Sequence, residues 1–167
     1  MDLLILRHGL AEERSDPATG GDSQRRLTKE GRQKMRRIAR GMQSLEVKPD
    51  LILTSPYLRA RETAEIVAKA LGSEKRLQMA PTLQPDGNPK ELIDSLKNNF
   101  RKRQQVLLVG HEPYLSRLIS LLISGDTRIA IMFKKGGLCL LSTESLQYGR
   151  CATLEWLLTP AQLRSVH

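Results

Sequence analysis

The chain has 167 residues, 27 Lys+Arg against 18 Asp+Glu and a formal net charge of +9. That length suits one domain, and a hydrophobic share of 40% with a mean hydropathy of −0.36 supplies one sizeable core while excluding a disordered or fibrous chain. No run of about 18 apolar residues occurs, and Met1-Asp2-Leu3-Leu4-Ile5-Leu6-Arg7 is too short and lacks the basic lead-in of a secretory signal, so a soluble, cytoplasmic protein with no membrane partner is expected.

In chain order, Leu3-Leu4-Ile5-Leu6 is a continuous apolar run of the kind that forms a strand covered on both faces. The polar stretch from Glu12 to Arg26 reads as a long loop, and loops of that length are usually functional or disordered. Thr28 suits the N-cap of a helix that ends near Leu45, before Pro49. Within it Met35, Ile38, Ala39 and Met42 recur at i, i+3, i+4 and i+7, which puts Arg32, Lys34, Arg36, Arg37 and Arg40 mostly on the opposite, solvated face. Much of the charge behind a pI of about 9.9 is therefore a surface helix. With aromatics at 4% and no zinc-finger or RNA-recognition signature, nucleic acid is not favoured, whereas an anionic substrate or an acidic protein suits such a field.

Leu51-Ile52-Leu53-Thr54 gives a second strand, and Ser55-Pro56 reads as an N-cap followed by proline at the first position of a helix that runs to about Leu71 and stops at Gly72. A turn-rich section around Pro81, Pro85-Asp86-Gly87 and Asn88-Pro89 leads to a helix over Lys90 to Phe100, with Leu92, Ile93 and Leu96 inward. Val106-Leu107-Leu108-Val109 is a third buried strand. Pro113 opens a helix with Leu115, Leu118, Ile119 and Leu122 on one face. Ala130–Phe133, Gly137–Ser142 and Cys151–Leu157 read as sheet segments joined by turns such as Tyr148-Gly149. Cys139 and Cys151 make neither a disulfide framework nor a metal-ligand spacing, and both read as buried small apolar residues. The alternation of strands and helices predicts a single α/β domain over residues 1–167.

Three strand ends carry the chemistry: Arg7-His8-Gly9, Ser55-Pro56-Tyr57-Leu58-Arg59-Ala60-Arg61-Glu62-Thr63, and Gly110-His111-Glu112-Pro113. Ligands of open α/β sheets bind at the carboxyl ends of strands, so the three segments are expected to converge although they lie about fifty residues apart. Two of the three histidines follow apolar runs directly. A neutral imidazole is a competent nucleophile toward phosphorus, and fixed arginines around the transferring group stabilise the charge on its oxygens. The planar fork of arginine engages two such oxygens at once.

Leu-Arg-His-Gly, Ser-Pro-x-x-Arg-Ala-x-x-Thr and Gly-His, in order over residues 5 to 112, resemble the histidine phosphatase superfamily, also called the phosphoglycerate mutase-like family. Arg25-Arg26-Leu27-Thr28 and Gly110-His111-Glu112-Pro113 are similar to the SixA-type phosphohistidine phosphatases within it. The resemblance implies an α/β fold with a largely parallel central sheet flanked by helices on both faces. It also implies catalysis through a covalent phosphohistidine intermediate, with no metal and no cofactor. On the matching positions, His8 is the nucleophile, His111 the second pocket histidine, Arg7 and Arg59 the phosphate-binding arginines and Arg25 a further arginine of the pocket. Arg26 stands where the subfamily often has proline, and Arg61 is left as a surface residue.

A general acid is not singled out: Glu112 stands directly after the second histidine and Asp22 lies on the loop before Arg25, and both stay open. Phosphohistidine would lessen the need for one, because its imidazole leaving group can take a proton from water. The connections 12–26 and 77–89 are the only long ones, so a shallow, basic site is expected. Such a site suits a phosphohistidine-bearing phosphotransfer protein of a signalling relay, with inorganic phosphate, vanadate or tungstate competing. A broad small-molecule phosphomonoesterase and a non-catalytic basic module for phosphate or nucleic acid are the alternatives.

Overall fold

The apolar runs and amphipathic stretches condense around one sheet in a computed structural model that describes residues 1–13, 21–100 and 102–166. The middle of the expected 12–26 loop lies outside the described residues. Strand β1 (Asp2–Arg7) is followed by α1 (Lys29–Ser44), whose N-cap Thr28 accepts the Gly31 N–H as its sequence position predicts. Next come β2 (Leu51–Thr54), α2 (Leu58–Ala70), β3 (Leu77–Met79) and α3 (Pro89–Asn99). The order closes with β4 (Gln105–Gly110), α4 (Tyr114–Ser124), β5 (Leu138–Ser142), β6 (Thr153–Leu158) and α5 (Pro160–Ser165).

The sheet runs β3-β2-β4-β1-β5-β6, with β3, β2, β4 and β1 parallel and β5 and β6 antiparallel to their neighbours. Leu3, Ile5, Leu53, Val106 and Leu108 face a core shared with α3 and α4. Leu4, Leu6, Ile52, Leu107 and Val109 face another, shared with α1, α2 and α5. Apolar side chains on both faces explain why these strands read as unbroken apolar runs rather than alternating ones. Helices therefore cover both faces, as expected. No described helix is long and apolar enough to cross a membrane.

Four expectations are corrected. The second helix begins at Leu58 rather than Pro56, and Ser55 is not its cap, because the Ser55 Oγ takes the Tyr57 N–H and faces His111 instead. Ala130–Phe133 is not a sheet segment: β3 and β6 occupy the edges, and the run is held by other bonds beside Arg7. The expected turn-rich section hides β3, too short and too exposed to show an apolar pattern. Cys139 is buried, but Cys151, just before β6, is only half-buried, and its thiol bonds to Gln147.

β4 lies between β2 and β1, and the register pairs Arg7 with Gly110 and Thr54 with Val109. The three strands therefore end level with one another. The residues that follow them, His8, Ser55 and His111, are placed side by side at one edge of the sheet.

Candidate active site

His8 leaves β1 with its backbone N–H on the Gly110 carbonyl (3.1 Å) and its side chain 5% exposed. Its Nδ1 is 2.7 Å from the Gly9 carbonyl. A carbonyl only accepts, so Nδ1 carries the proton and Nε2 keeps its lone pair. Arg59 donates its Nε–H toward that lone pair at 3.3 Å. Burial first, and then His111, Arg59 and Arg7, hold the His8 pKa well below 6.5 against the opposing pull of the Gly9 carbonyl. The ring is thus a neutral, oriented base at neutral pH.

The approach of α2 is fixed from both sides. Thr63 donates its hydroxyl to the Arg59 carbonyl (2.7 Å) and accepts the Gly9 N–H (3.1 Å), which ties the first turns of α2 to the residue after His8. On the other side, α1 seats against the same segment. At Gly31 a Cβ would lie 2.1 Å from the Leu10 carbonyl oxygen, so only glycine permits that approach.

His111 is 1% exposed, with its ring centroid 5.1 Å from that of His8 and tilted 55° to it. The edge of Tyr57 packs at 5.2 Å, and His111 Nε2 is 2.8 Å from Ser55 Oγ. The Ser55 hydroxyl can donate to that nitrogen or accept from it, and where it donates, the proton of neutral His111 sits on Nδ1. Burial, Arg59, Arg7 and Arg25 push the His111 pKa down to about 3, although Asp22 acts the other way. In the unliganded pocket His111 is therefore neutral.

Arg59, 4% exposed, spans the pocket. Its Nη1 donates to the Asp22 carbonyl (2.7 Å), its Nη2 to Asp22 Oδ2 (2.9 Å), and the guanidinium lies 5.3 Å from the centre of the Tyr57 ring. Arg25 Nη1 donates to Asp22 Oδ1 (2.8 Å), and its Nε and Nη2 hold the Glu12 carbonyl. One carboxylate thus bridges two arginines. Burial opposes it, yet the bonds from Arg25 and Arg59 keep the Asp22 pKa below the usual carboxylate value. Arg7 donates Nη1 to the Phe133 carbonyl (2.6 Å). Among the described residues, Arg7 Nε and His111 Nδ1 are buried without a hydrogen-bond partner; the Arg7 N–H is a donor that an oxyanion would satisfy, and so is His111 Nδ1 when it carries the ring proton.

All five expected site residues, His8, His111, Arg7, Arg25 and Arg59, are brought to this one edge. Of the two candidate acids, Asp22 is the arginine bridge, while Glu112 Oε1 accepts the Ser116 N–H (2.8 Å) in the first turn of α4. Arg61 pairs with Glu65 outside the pocket. Sequence reasoning did not assign Tyr57, Thr63 or Lys135. The pKa of Lys135 is lowered, first by partial burial of its ammonium in an otherwise exposed side chain and then by Arg7, Arg25 and Arg59, so it shares their field. Ser55 and Thr63 belong to the Ser-Pro-x-x-Arg-Ala-x-x-Thr pattern, which was the available signal; Lys135 had none. Among the described residues no group of three His, Cys, Asp or Glu side chains could hold a metal ion. A groove of about 690 Å³ between α1 and α2 is lined by Arg32, Arg36, Ile66 and Ala70 among others and holds no histidine, so the chemistry is placed by the convergent histidines instead.

The sequence profile of the histidine phosphatase superfamily (branch 1) matches residues 3–84. An uncharacterised protein of Picosynechococcus sp. is 36% identical over 140 residues, covering 83% of this chain and 82% of that protein. Phosphohistidine phosphatase SixA of Escherichia coli is 29% identical over 167 residues, covering 98% and 97%. The structure of the protein histidine phosphatase SixA complexed with tungstate superposes with a TM-score of 0.84 at 28% identity, over 98% of this chain and 99% of that one.

Proposed function

We propose a substrate and a route for this chain, which belongs to the histidine phosphatase superfamily: it hydrolyses phosphohistidine on a signalling phosphotransfer protein through an intermediate phosphorylated on His8. Nε2 of His8 attacks phosphorus and the P–Nε2 bond forms. The P–N bond to the substrate imidazole breaks, its electron pair stays on that nitrogen, and water supplies the proton. A water molecule then attacks the phosphoryl group, the P–Nε2 bond breaks with its electron pair returning to Nε2, the attacking water's spare proton neutralises the hydroxide left by the first step, and hydrogen phosphate leaves with His8 neutral again. In this reading Arg7, Arg25 and Arg59 neutralise the phosphoryl oxygens and His111 donates to one of them.

The observation that carries the substrate choice is the state of the two carboxyl groups. Asp22 is held ionised between Arg25 and Arg59, and Glu112 is engaged by the backbone of α4. Asp22 thus has no proton to give a leaving group, and Glu112 has its Oε1 committed to the Ser116 N–H. An alkoxide leaving from a phosphomonoester needs such a proton, whereas an imidazole is a far better leaving group. The similarity to a SixA complexed with tungstate supports an oxyanion as a ligand of this chain.

The test is phosphate release from a phosphohistidine-bearing transfer domain and from an aryl phosphate, with chelator present, for the unmodified protein and His8→Ala. Release from the phosphoprotein is expected to be untouched by chelator and to fall by on the order of 10³-fold or more in His8→Ala. Fast turnover of the aryl phosphate with none of the phosphoprotein would replace this reading with a broad phosphomonoesterase. No release from either would leave a non-catalytic phosphate-binding module.

A further inference from the structure

Leading up to the pocket, residues 129–132 form an apolar run with three of its four side chains exposed. Ile129 is 43% exposed and Met132 80%, the highest value among the described large hydrophobic residues, while Ala130 is exposed and Ile131 half-buried. A surface run of four apolar residues works against solubility unless it has a use. Folding uses little of it: the segment forms no strand, and of its four side chains Ile131 packs partly against the core while Ile129, Ala130 and Met132 stay exposed. At one end Ser120 Oγ takes the Ile129 N–H (3.0 Å) and reaches the Asp126 carbonyl, and Arg128 pairs with Asp126. At the other, Phe133 is buried in the core and its carbonyl receives Arg7. The run is therefore held out to solvent in a fixed place.

The Met132 end of the run lies at the rim of the reacting edge, because Arg7 holds the carbonyl of the next residue, Phe133. Gly136, at a φ of +79° that favours glycine, donates its N–H to the Arg7 and His8 carbonyls (3.0 and 3.2 Å). Lys134 and Lys135, between it and the apolar run, are exposed. A small phosphate ester in the pocket would leave Ile129 and Met132 bare. A folded protein that presents a phosphorylated side chain to His8 would cover them.

We infer that Ile129–Met132, with Lys134 at its end, is the docking rim for the phosphoprotein substrate, whose face around the phosphohistidine is apolar and acidic. This rests on the proposed function and adds where the partner sits. Ile129 and Met132 exclude water from apolar side chains of the partner, and Lys134 meets its carboxylates. Nucleic acid fits less well, because neither Ile nor Met offers a stacking surface to a base.

The test compares steady-state kinetics of Met132→Asp and Lys134→Glu with the unmodified protein, on the phosphotransfer domain and on an aryl phosphate. Both positions are exposed, so the fold is expected to be kept, with melting temperature as the check. Met132→Asp is expected to raise KM for the phosphoprotein about tenfold with kcat unchanged, and Lys134→Glu severalfold in a salt-dependent way, while aryl phosphate turnover stays within about twofold. Equal loss on both substrates, or an unchanged KM for the phosphoprotein, would overturn the docking rim and leave the phosphatase reading intact. So would co-sedimentation of the unmodified protein with phosphatidylserine vesicles that Met132→Asp abolishes, because the run would then be a lipid contact. Failure of the unmodified protein to act on the phosphoprotein at all would overturn the substrate reading and this inference with it.

Discussion

At the residue scale, Asp22 sets how much positive charge the pocket offers. Its two oxygens take donors of Arg25 and Arg59 that a phosphoryl group would also engage, so an arriving oxyanion meets a carboxylate already among its ligands. Removing the charge while keeping the shape strengthens the field: Asp22→Asn is expected to tighten inhibition by orthovanadate about fivefold to tenfold, roughly the effect of relieving one partly screened like-charge contact. Weaker inhibition would mean that Asp22 chiefly orients the two arginines. Much of this site was legible beforehand. His8, His111, Arg7 and Arg59 stand directly at strand ends or in a recurring spacing, and Arg25 follows from its neighbours. Ser55 was misread, because a serine before proline looks like a cap whichever way its hydroxyl turns, and the Phe133 carbonyl and Lys135 depend on a fold-back more than a hundred residues from Arg7.

The elements position those residues through a few close approaches. α1 can seat beside Leu10 only because position 31 carries no side chain, and the N–H of Thr28 completes the contact on the Leu10 carbonyl (3.0 Å). An alanine in a helix interior normally stabilises by about 0.5–1 kcal/mol over glycine, so the sign of Gly31→Ala is informative. Chemical denaturation is expected to show a loss of about 1–3 kcal/mol, the usual range for overpacking, with reduced turnover as the His8–Leu10 segment shifts. A gain in stability would contradict the seating. Periodicity revealed α1, α3 and α4 because each has a buried stripe. It missed α5, a six-residue helix whose signal was the Thr159 cap with Gln162 rather than a stripe. It also turned 130–133 into a strand, since an apolar run with nothing to pair on looks the same as one that pairs.

For the whole molecule, burying two neutral histidines ties stability to pH. An unfolded histidine titrates near 6.5, whereas folded His8 lies well below that and folded His111 at about 3. Above pH 6.5 both states hold the rings neutral and nothing is lost. As pH falls through 6.5 the unfolded chain takes up protons that the folded one refuses, so stability drops by up to about 1.4 kcal/mol per pH unit for each ring. The melting temperature is expected to fall steadily from pH 6.5 to 5, before carboxylates contribute, and His111→Asn to fall less steeply. An equal slope in both proteins would show that folded His111 takes up its proton as readily as the unfolded chain does.

The strand order that brings His8, Ser55 and His111 level makes one claim central, that His8 Nε2 carries the phosphoryl group during turnover. Rapid alkaline quenching of the protein with a radiolabelled phosphohistidine transfer domain tests it most directly. The account predicts label on His8, stable to alkali and lost in acid, that forms no later than free phosphate and is absent from His8→Ala. Phosphate released with no label passing through the chain, or label persisting in His8→Ala, would contradict it.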